Sequence, residues 1–209
     1  MKISEIFYSI QGEGPQLGLP AWFIRTSGCN LNCDFCDTLY ANKGINKSIK
    51  EIIKEINIQQ TYNVIITGGE PFIQKQLPDL IHELINNSFS VFIETNGTIY
   101  NSNLIGFAKF IVSPKPQFLN TKYLASLEKW SQHAAFKFVV ETKDEFDSAR
   151  FLCEELCKYE DVYFMPKCKT KEEHERNLEP LVDLVKEYTP WVQVSPRLHI
   201  YLWGDKRGV

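Results

Sequence analysis

The chain has no apolar run approaching the roughly 18 residues that a membrane-spanning helix requires. It has no excess of one charge either: 23 Lys and Arg stand against 26 Asp and Glu, a formal net charge of −3. That balance argues against the strongly basic surface by which proteins bind nucleic acid or anionic lipid. The opening Met1-Lys2-Ile3-Ser4 lacks a charged n-region followed by an apolar h-region, so no export signal is expected. Internal repeats, low-complexity segments and linkers are absent as well. The 209 residues are therefore expected to form one domain, 1–209, large enough to bury a core. Without an export signal, six cysteines point to reduced thiols and metal binding rather than disulfides, and to the cytoplasm.

Three of those cysteines, Cys29, Cys33 and Cys36, fall within one short loop with the spacing C-x3-C-x2-C. Thiolates are soft ligands, suited to zinc or to iron–sulfur clusters. Three cannot complete a four-ligand structural zinc site, and no histidine follows until His82. On a [4Fe-4S] cluster, three thiolates leave one iron open to a ligand. Cys153 and Cys157 sit four apart in a helical pattern and, with Cys168, read as small buried hydrophobes rather than as a second cluster.

Apolar, β-branched runs alternate with helical patterns along the rest of the chain. Strands are expected at Ile3 to Tyr8, Ala21 to Thr26, Val64 to Thr67, Val91 to Glu94, Phe110 to Val112, Phe136 to Val140, Asp161 to Met165 and Trp191 to Val194. Helices are expected from Ser48, where Ser48 and Glu51 have capping-box spacing, through Leu77 to Ile85, from about Glu145 to Lys158, and from Lys171 to Tyr188 with a break or kink near Pro180. This alternation predicts a largely parallel α/β sheet. The cysteine loop, Gly68-Gly69-Glu70-Pro71, Thr95-Asn96-Gly97, Ser113-Pro114-Lys115 and Met165-Pro166-Lys167 all follow strands, as working loops do in βα barrels. Each alone also reads as an ordinary turn.

Two further features ask for a small-molecule ligand. Ser9-Ile10-Gln11-Gly12-Glu13-Gly14 sets an amide and a carboxylate between glycines, able to meet a heterocycle edge that bears N–H donors. Arg25 ends an otherwise apolar strand and needs a partner, either a substrate carboxylate or an internal one. A carboxylate or backbone carbonyl in the Gly-Gly-Glu-Pro turn can accept from an ammonium.

The cysteine spacing and the Gly-Gly-Glu-Pro turn resemble those of the radical S-adenosylmethionine (SAM) enzymes. Within that superfamily, Glu5 to Gly14, Phe23-Ile24-Arg25, Cys36-Asp37-Thr38, Thr67 to Pro71, Glu94 to Gly97 and Ser113-Pro114-Lys115 resemble the 7-carboxy-7-deazaguanine synthase family. The resemblance implies an α/β fold, a shortened, partly open (βα)6-type partial TIM barrel. It implies a carbon–nitrogen lyase that converts 6-carboxy-5,6,7,8-tetrahydropterin to 7-carboxy-7-deazaguanine with loss of ammonia. That step belongs to the biosynthesis of queuosine, a modified tRNA base. Its cofactors would be a [4Fe-4S] cluster, SAM and Mg2+. Cys29, Cys33 and Cys36 would hold the cluster and Thr38 the magnesium. Gly69, Ser113, Pro114, Lys115, Met165, Pro166, Lys167 and Cys168 would contact SAM. Ile10, Gln11, Gly12, Glu13, Arg25 and Thr67 would contact the pterin, and in some members the terminal carboxylate, here that of Val209, does so too. A homodimer and an electron donor such as flavodoxin or ferredoxin are also implied, with no nucleic acid or membrane partner. A glycyl-radical activating enzyme, which shares the cysteines, and a zinc-dependent binding module are the alternatives.

Overall fold

The computed structural model describes residues 1–36, 38–156 and 161–209. The first strands are β1 (Lys2–Ile10), β2 (Pro20–Thr26) and a short β3 (Ile45–Asn46), followed by helix α1 (Ile49–Glu55). Alternation then sets in: β4 (Asn63–Gly68), α2 (Leu77–Asn86), β5 (Ser90–Thr95), β6 (Lys109–Val112), α3 (Thr121–Trp130) and β7 (Ala134–Val140). The chain closes with α4 (Lys143–Leu156), β8 (Val162–Pro166), α5 (Lys171–Tyr188), β9 (Gln193–Val194) and α6 (Leu198–Trp203). The strands form one sheet in the order β3-β1-β2-β4-β5-β6-β7-β8-β9. From β2 to β9 every pairing is parallel, while β1 runs antiparallel to both β2 and β3. The ends β3 and β9 do not pair with each other, so the sheet is a partly open barrel, as the family resemblance implies.

Side-chain alternation along the strands sorts residues onto two faces. Ile24, Val64, Ile66, Val91, Ile93, Phe110, Val112, Phe136 and Phe138 pack outward against Leu80, Ile81, Leu84, Leu127 and Trp130 of the helices. Ala21, Phe23, Ile65, Phe92 and Ile111 point inward, joined by Phe7 and Leu19. The Phe7 and Phe23 rings stack 5.0 Å apart. This apolar layer plugs the barrel. Two residues further along the same strands, Arg25, Thr67, Glu94 and Ser113 replace it with polar groups. A parallel sheet puts these chain positions at one end, so a polar ring sits above the plug.

Local chemistry matches the elements it builds. Ser48 and Glu51 form the expected capping box at the start of α1, and Thr170 and Glu173 form another at the start of α5. Three elements lie outside the sequence reading: β3, α3 and α6. β3 has only two residues, and α3 is polar on much of its surface. Of the expected break or kink near Pro180, the break is corrected: α5 runs unbroken through that residue. Leu181 and Val185 lie buried on the helix face beyond it, and this packing outweighs the loss of one N–H donor. Of the expected helix to Lys158, the part to Leu156 is α4, and Cys157 lies outside the described residues. Among the described residues, no helix is long and apolar enough to cross a membrane.

Candidate active site

Because β1 is antiparallel, with Ile10 opposite Pro20 and Glu5 opposite Arg25, its exit loop starts at the end of the barrel away from the cysteine loop. Gln11 is buried, and its Nε2 donates to Glu94 Oε1 at 3.2 Å. Glu13 is gripped twice, by Lys137 Nζ at 2.7 Å and by Arg197 Nε at 2.8 Å. Lys137 Nζ also reaches Glu94 Oε1 at 2.8 Å, and Thr67 Oγ1 donates to Glu94 Oε2 at 2.9 Å. One connected floor thus contains Gln11, Glu13 and Thr67 from the expected substrate set, plus Glu94, Lys137 and Arg197. A Cβ on Gly12 would overlap the His199 ring, and Gly12 O accepts from Leu198 N at 2.9 Å, so only glycine lets α6 close on this loop.

Charge follows the geometry. Burial pushes the Glu13 carboxyl up, but Lys137, Arg197 and His199 outweigh it and hold the group well below its ordinary range. Burial alone would lower Lys137; the Glu13 and Glu94 carboxylates instead carry it above the usual lysine value.

Arg25 lies on the same inner face. Its Nε donates to Glu5 Oε1 at 2.6 Å, Tyr40 donates to the same oxygen at 3.1 Å, and the guanidinium lies 5.7 Å from the Phe7 ring. The internal partner weighed for Arg25 is therefore present and fixes the guanidinium plane. The tail runs back over this region: Arg207 stacks on Tyr40 at 3.6 Å, and Ser9 Oγ donates to the Val209 carbonyl oxygen. Val209 thus reaches the strand that leads into the floor loop.

Just beyond Arg25, Thr67, Glu94 and Ser113, at the same end of the parallel strands, stand the loops that leave β2, β4, β5, β6 and β8. Gly69 has no room for a side chain: a Cβ would meet Gly28 O, and Glu70 N donates to that oxygen at 2.8 Å. The fully buried Glu70 carboxylate accepts from Thr95 Oγ1 at 2.7 Å, Phe72 N at 3.0 Å and Asn96 N at 2.7 Å. Burial still pushes its pKa up against these donors. The expectation that this carboxylate could receive a ligand ammonium is therefore corrected: it braces the turn against β5, and the backbone carbonyls remain for that task. Asn96 Nδ2 reaches Asn30 Oδ1 at 3.0 Å and Cys29 Sγ at 3.8 Å, tying β5 to the cysteine loop. Burial pushes the Cys29 and Cys33 thiols up; Lys115 opposes this at Cys33. Lys115 Nζ is held by Ser113 Oγ at 2.7 Å. Lys167 pairs with Glu141 at 3.1 Å and Glu145 at 3.2 Å, and lies 4.9 Å from the Phe35 ring between the second and third cysteines. Met165 and Cys168 are buried, as is Cys153. Thr38 precedes a short 3-10 turn and caps it through its carbonyl, which accepts from Ala41 N at 2.8 Å, not through its hydroxyl.

Among the described residues, no three His, Cys, Asp or Glu side chains converge into a metal-holding group. The three loop thiols nevertheless lie within electrostatic reach of one another. An all-sulfur set on one partly exposed loop fits a soft iron–sulfur centre better than a hard cation.

Glu94, Lys137 and Arg197 were not singled out from the sequence as site residues. The argument that draws attention to Arg25, a charge within an apolar strand, applies equally to Lys137 between Phe136 and Phe138 and to Glu94 after Ile93.

Residues 23–133 match the family model of the radical SAM superfamily, and the chain belongs to it. That membership brings a [4Fe-4S] cluster and SAM as cofactors. Within the superfamily the chain belongs to the 7-carboxy-7-deazaguanine synthase family. It is 37% identical to the member from Aquifex aeolicus over 94% of this chain and 91% of that protein. Identity to the member from Pyrobaculum aerophilum is 34%, over 100% of this chain and 97% of that one. The crystal structure of QueE from Escherichia coli has the same fold, with a TM-score of 0.67 at 23% identity over 93% of each chain.

The floor network predicts a specific response to acid. Glu13 has a depressed pKa, so its contribution to stability is present above the ordinary value of 4.5 and is lost as pH falls through its folded value. Glu13→Gln should lower stability at pH 7 by about 3–5 kcal/mol, as for breaking a buried ion pair. Its thermal midpoint should then fall less steeply than wild type as the pH drops below about 4.5. Parallel curves for the two proteins over that window would show that the pair does not stabilise the fold.

Proposed function

We propose that this chain converts 6-carboxy-5,6,7,8-tetrahydropterin to 7-carboxy-7-deazaguanine with loss of ammonia, in the pathway to queuosine. The observation that carries this reading is one polar barrel interior in which the Gln11–Glu13 loop meets Thr67 and Glu94, whose strands run directly into the Gly-Gly-Glu-Pro turn and the Asn96 contact with the cysteine loop. The cluster and SAM supply radical chemistry when bound; the protein holds and shields the reactants. Cys29, Cys33 and Cys36 are the residues that hold the cluster. Gly69 brings its backbone close to SAM, Ser113, Pro114 and Lys115 line one side, and Met165, Pro166, Lys167 and Cys168 the other. Since Met165 and Cys168 are buried, their contacts run through the backbone.

Ile10, Gln11 and Gly12 present amide and backbone groups to the pterin, Glu13 presents an anionic acceptor, and Thr67 a hydroxyl. Arg25 pairs with the substrate carboxylate, because a guanidinium matches that fork with two parallel bonds. Glu5 competes for the same guanidinium and aligns it beforehand. The apolar layer of Phe23, Ile65, Phe92 and Ile111 keeps water from the far side. Residues 1–209 act as one domain. The working unit is a cytoplasmic homodimer, supplied with electrons by a donor such as flavodoxin or ferredoxin.

An anaerobic assay with SAM, a reductant and the carboxytetrahydropterin tests the reading. Wild type should release the deazaguanine and ammonia and carry about four irons per chain. Alanine at Cys29, Cys33 or Cys36 should abolish turnover and strip the iron, whereas Cys153→Ala should keep it. No deazaguanine from fully loaded wild type, or about eight irons per chain, would contradict the assignment.

Thr38 is the proposed magnesium ligand. A threonine hydroxyl is a hard, neutral oxygen, and the ion would complete its shell with oxygens from substrate and water. Added magnesium should raise turnover in wild type and do little for Thr38→Ala with its cluster intact. Equal magnesium dependence in the two proteins would remove Thr38 from the site.

A further inference from the structure

Lys137 is more enclosed than either carboxylate it touches. Its side chain is 7% exposed, against 11% for Glu13 and 20% for Glu94. It sits on β7 between Phe136 and Phe138, whose rings face outward into the helix-covered core, so the lysine alone of the three points inward. The stem is covered too: a Cβ on Gly14 would come within 3.6 Å of Lys137 Cδ. The ammonium touches one oxygen of each carboxylate and is less exposed than either.

The remaining oxygens are committed to neighbours. Glu13 Oε1 accepts from Arg197, with His199 at 3.8 Å, and Glu94 accepts from Gln11 and Thr67. We propose that Lys137 is a positioning residue, which fixes the Glu13 and Glu94 carboxylates side by side as one acceptor edge for the N–H donors of a pterin-type heterocycle. This rests on the pterin reading of the site and adds to it a residue that touches no substrate atom.

The physical consequence is specific. Two carboxylates that contact one nitrogen stand close together; without that cation Glu13 keeps Arg197, and the repulsion falls on Glu94, raising its pKa. Glu94 would take up a proton and turn from acceptor to donor. An edge with one donor repels an N–H of the ligand where it formerly accepted it. The groups that face this pair are Lys137 from β7, Arg197 and His199 from the tail, Gln11 from the β1 exit loop and Thr67 from β4. Lys137 touches both carboxylates.

Binding of 6-carboxytetrahydropterin to the cluster-loaded protein with SAM, measured from pH 5 to 9, tests this. Lys137→Met should weaken binding about 10- to 100-fold at pH 7, the range for a lost hydrogen bond to a charged group. It should also add to the affinity profile a titration that wild type lacks. Lys137→Arg should remove that titration and restore most of the affinity. The charge-balanced double variant Lys137→Met with Glu94→Gln guards against failure to fold. It should bind weakly at every pH and show no added titration. A uniform loss in Lys137→Met without a new titration, or wild-type affinity in the double variant, would overturn the proposal. Failure of wild type itself to bind the pterin would instead overturn the reading of the site.

Discussion

The contact on which the barrel interior depends is the grip of Lys137 and Arg197 on Glu13, with Glu94 completing the set. Charges at this depth are costly unless each finds a partner, and removing one partner typically costs about 3–5 kcal/mol. The same contacts join parts of the chain that are far apart in sequence. Glu13 comes from the loop after β1, Glu94 from β5, Lys137 from β7, and Arg197 from the segment after β9. An open barrel has no hydrogen bonds across its gap. Here Arg197 reaches over from the last strand to the first loop, and its Nη1 also donates to Cys168 O at 2.5 Å. His174 supports that reach by accepting from Arg197 N at 3.1 Å, and burial keeps this histidine's pKa below its usual value.

The floor and the cysteine loop are not independent. Three consecutive residues at the end of β5 divide the work. Glu94 faces the floor and takes Lys137, Gln11 and Thr67. Thr95 turns the other way and binds the buried Glu70 carboxylate of the Gly-Gly-Glu-Pro turn. Asn96 binds that carboxylate through its N–H and the cysteine loop through its side chain. Strand alternation alone produces this split, since neighbouring residues point to opposite faces. The end of one strand thereby joins the floor network to the Gly-Gly-Glu-Pro turn and the cysteine loop.

Much of this was legible from the residues themselves. The cysteine spacing, the glycine turn and the β-branched runs defined a parallel α/β sheet with its working loops after strands, and that arrangement is found. Arg25 stood out because a charge in an apolar strand must be answered. The partner was not legible, since Glu5 lies on a neighbouring strand and meets Arg25 only through the antiparallel register of β1 and β2. Glu94, Lys137 and Arg197 escaped for the same reason: their meaning lies in contacts between residues far apart in sequence, which spacing does not encode. Beside two glycines the Glu70 carboxylate and the backbone carbonyls both read as acceptors, and only the fold shows Thr95 and Asn96 taking up the carboxylate. Pro180 reads as a break or a kink because local propensity speaks first, and tertiary packing removes the break.

The central claim is that the pterin sits between the Gln11–Glu13 floor and the cysteine loop. The most direct measurement is a crystal structure of the anaerobically loaded protein with SAM and 6-carboxytetrahydropterin. The account predicts the heterocycle's N–H edge within hydrogen-bond distance of Glu13 or Glu94 and its carboxylate at Arg25. A pterin bound outside the barrel, for example in the groove between Pro15–Pro20 and Lys109, with the floor carboxylates touching only protein, would contradict it.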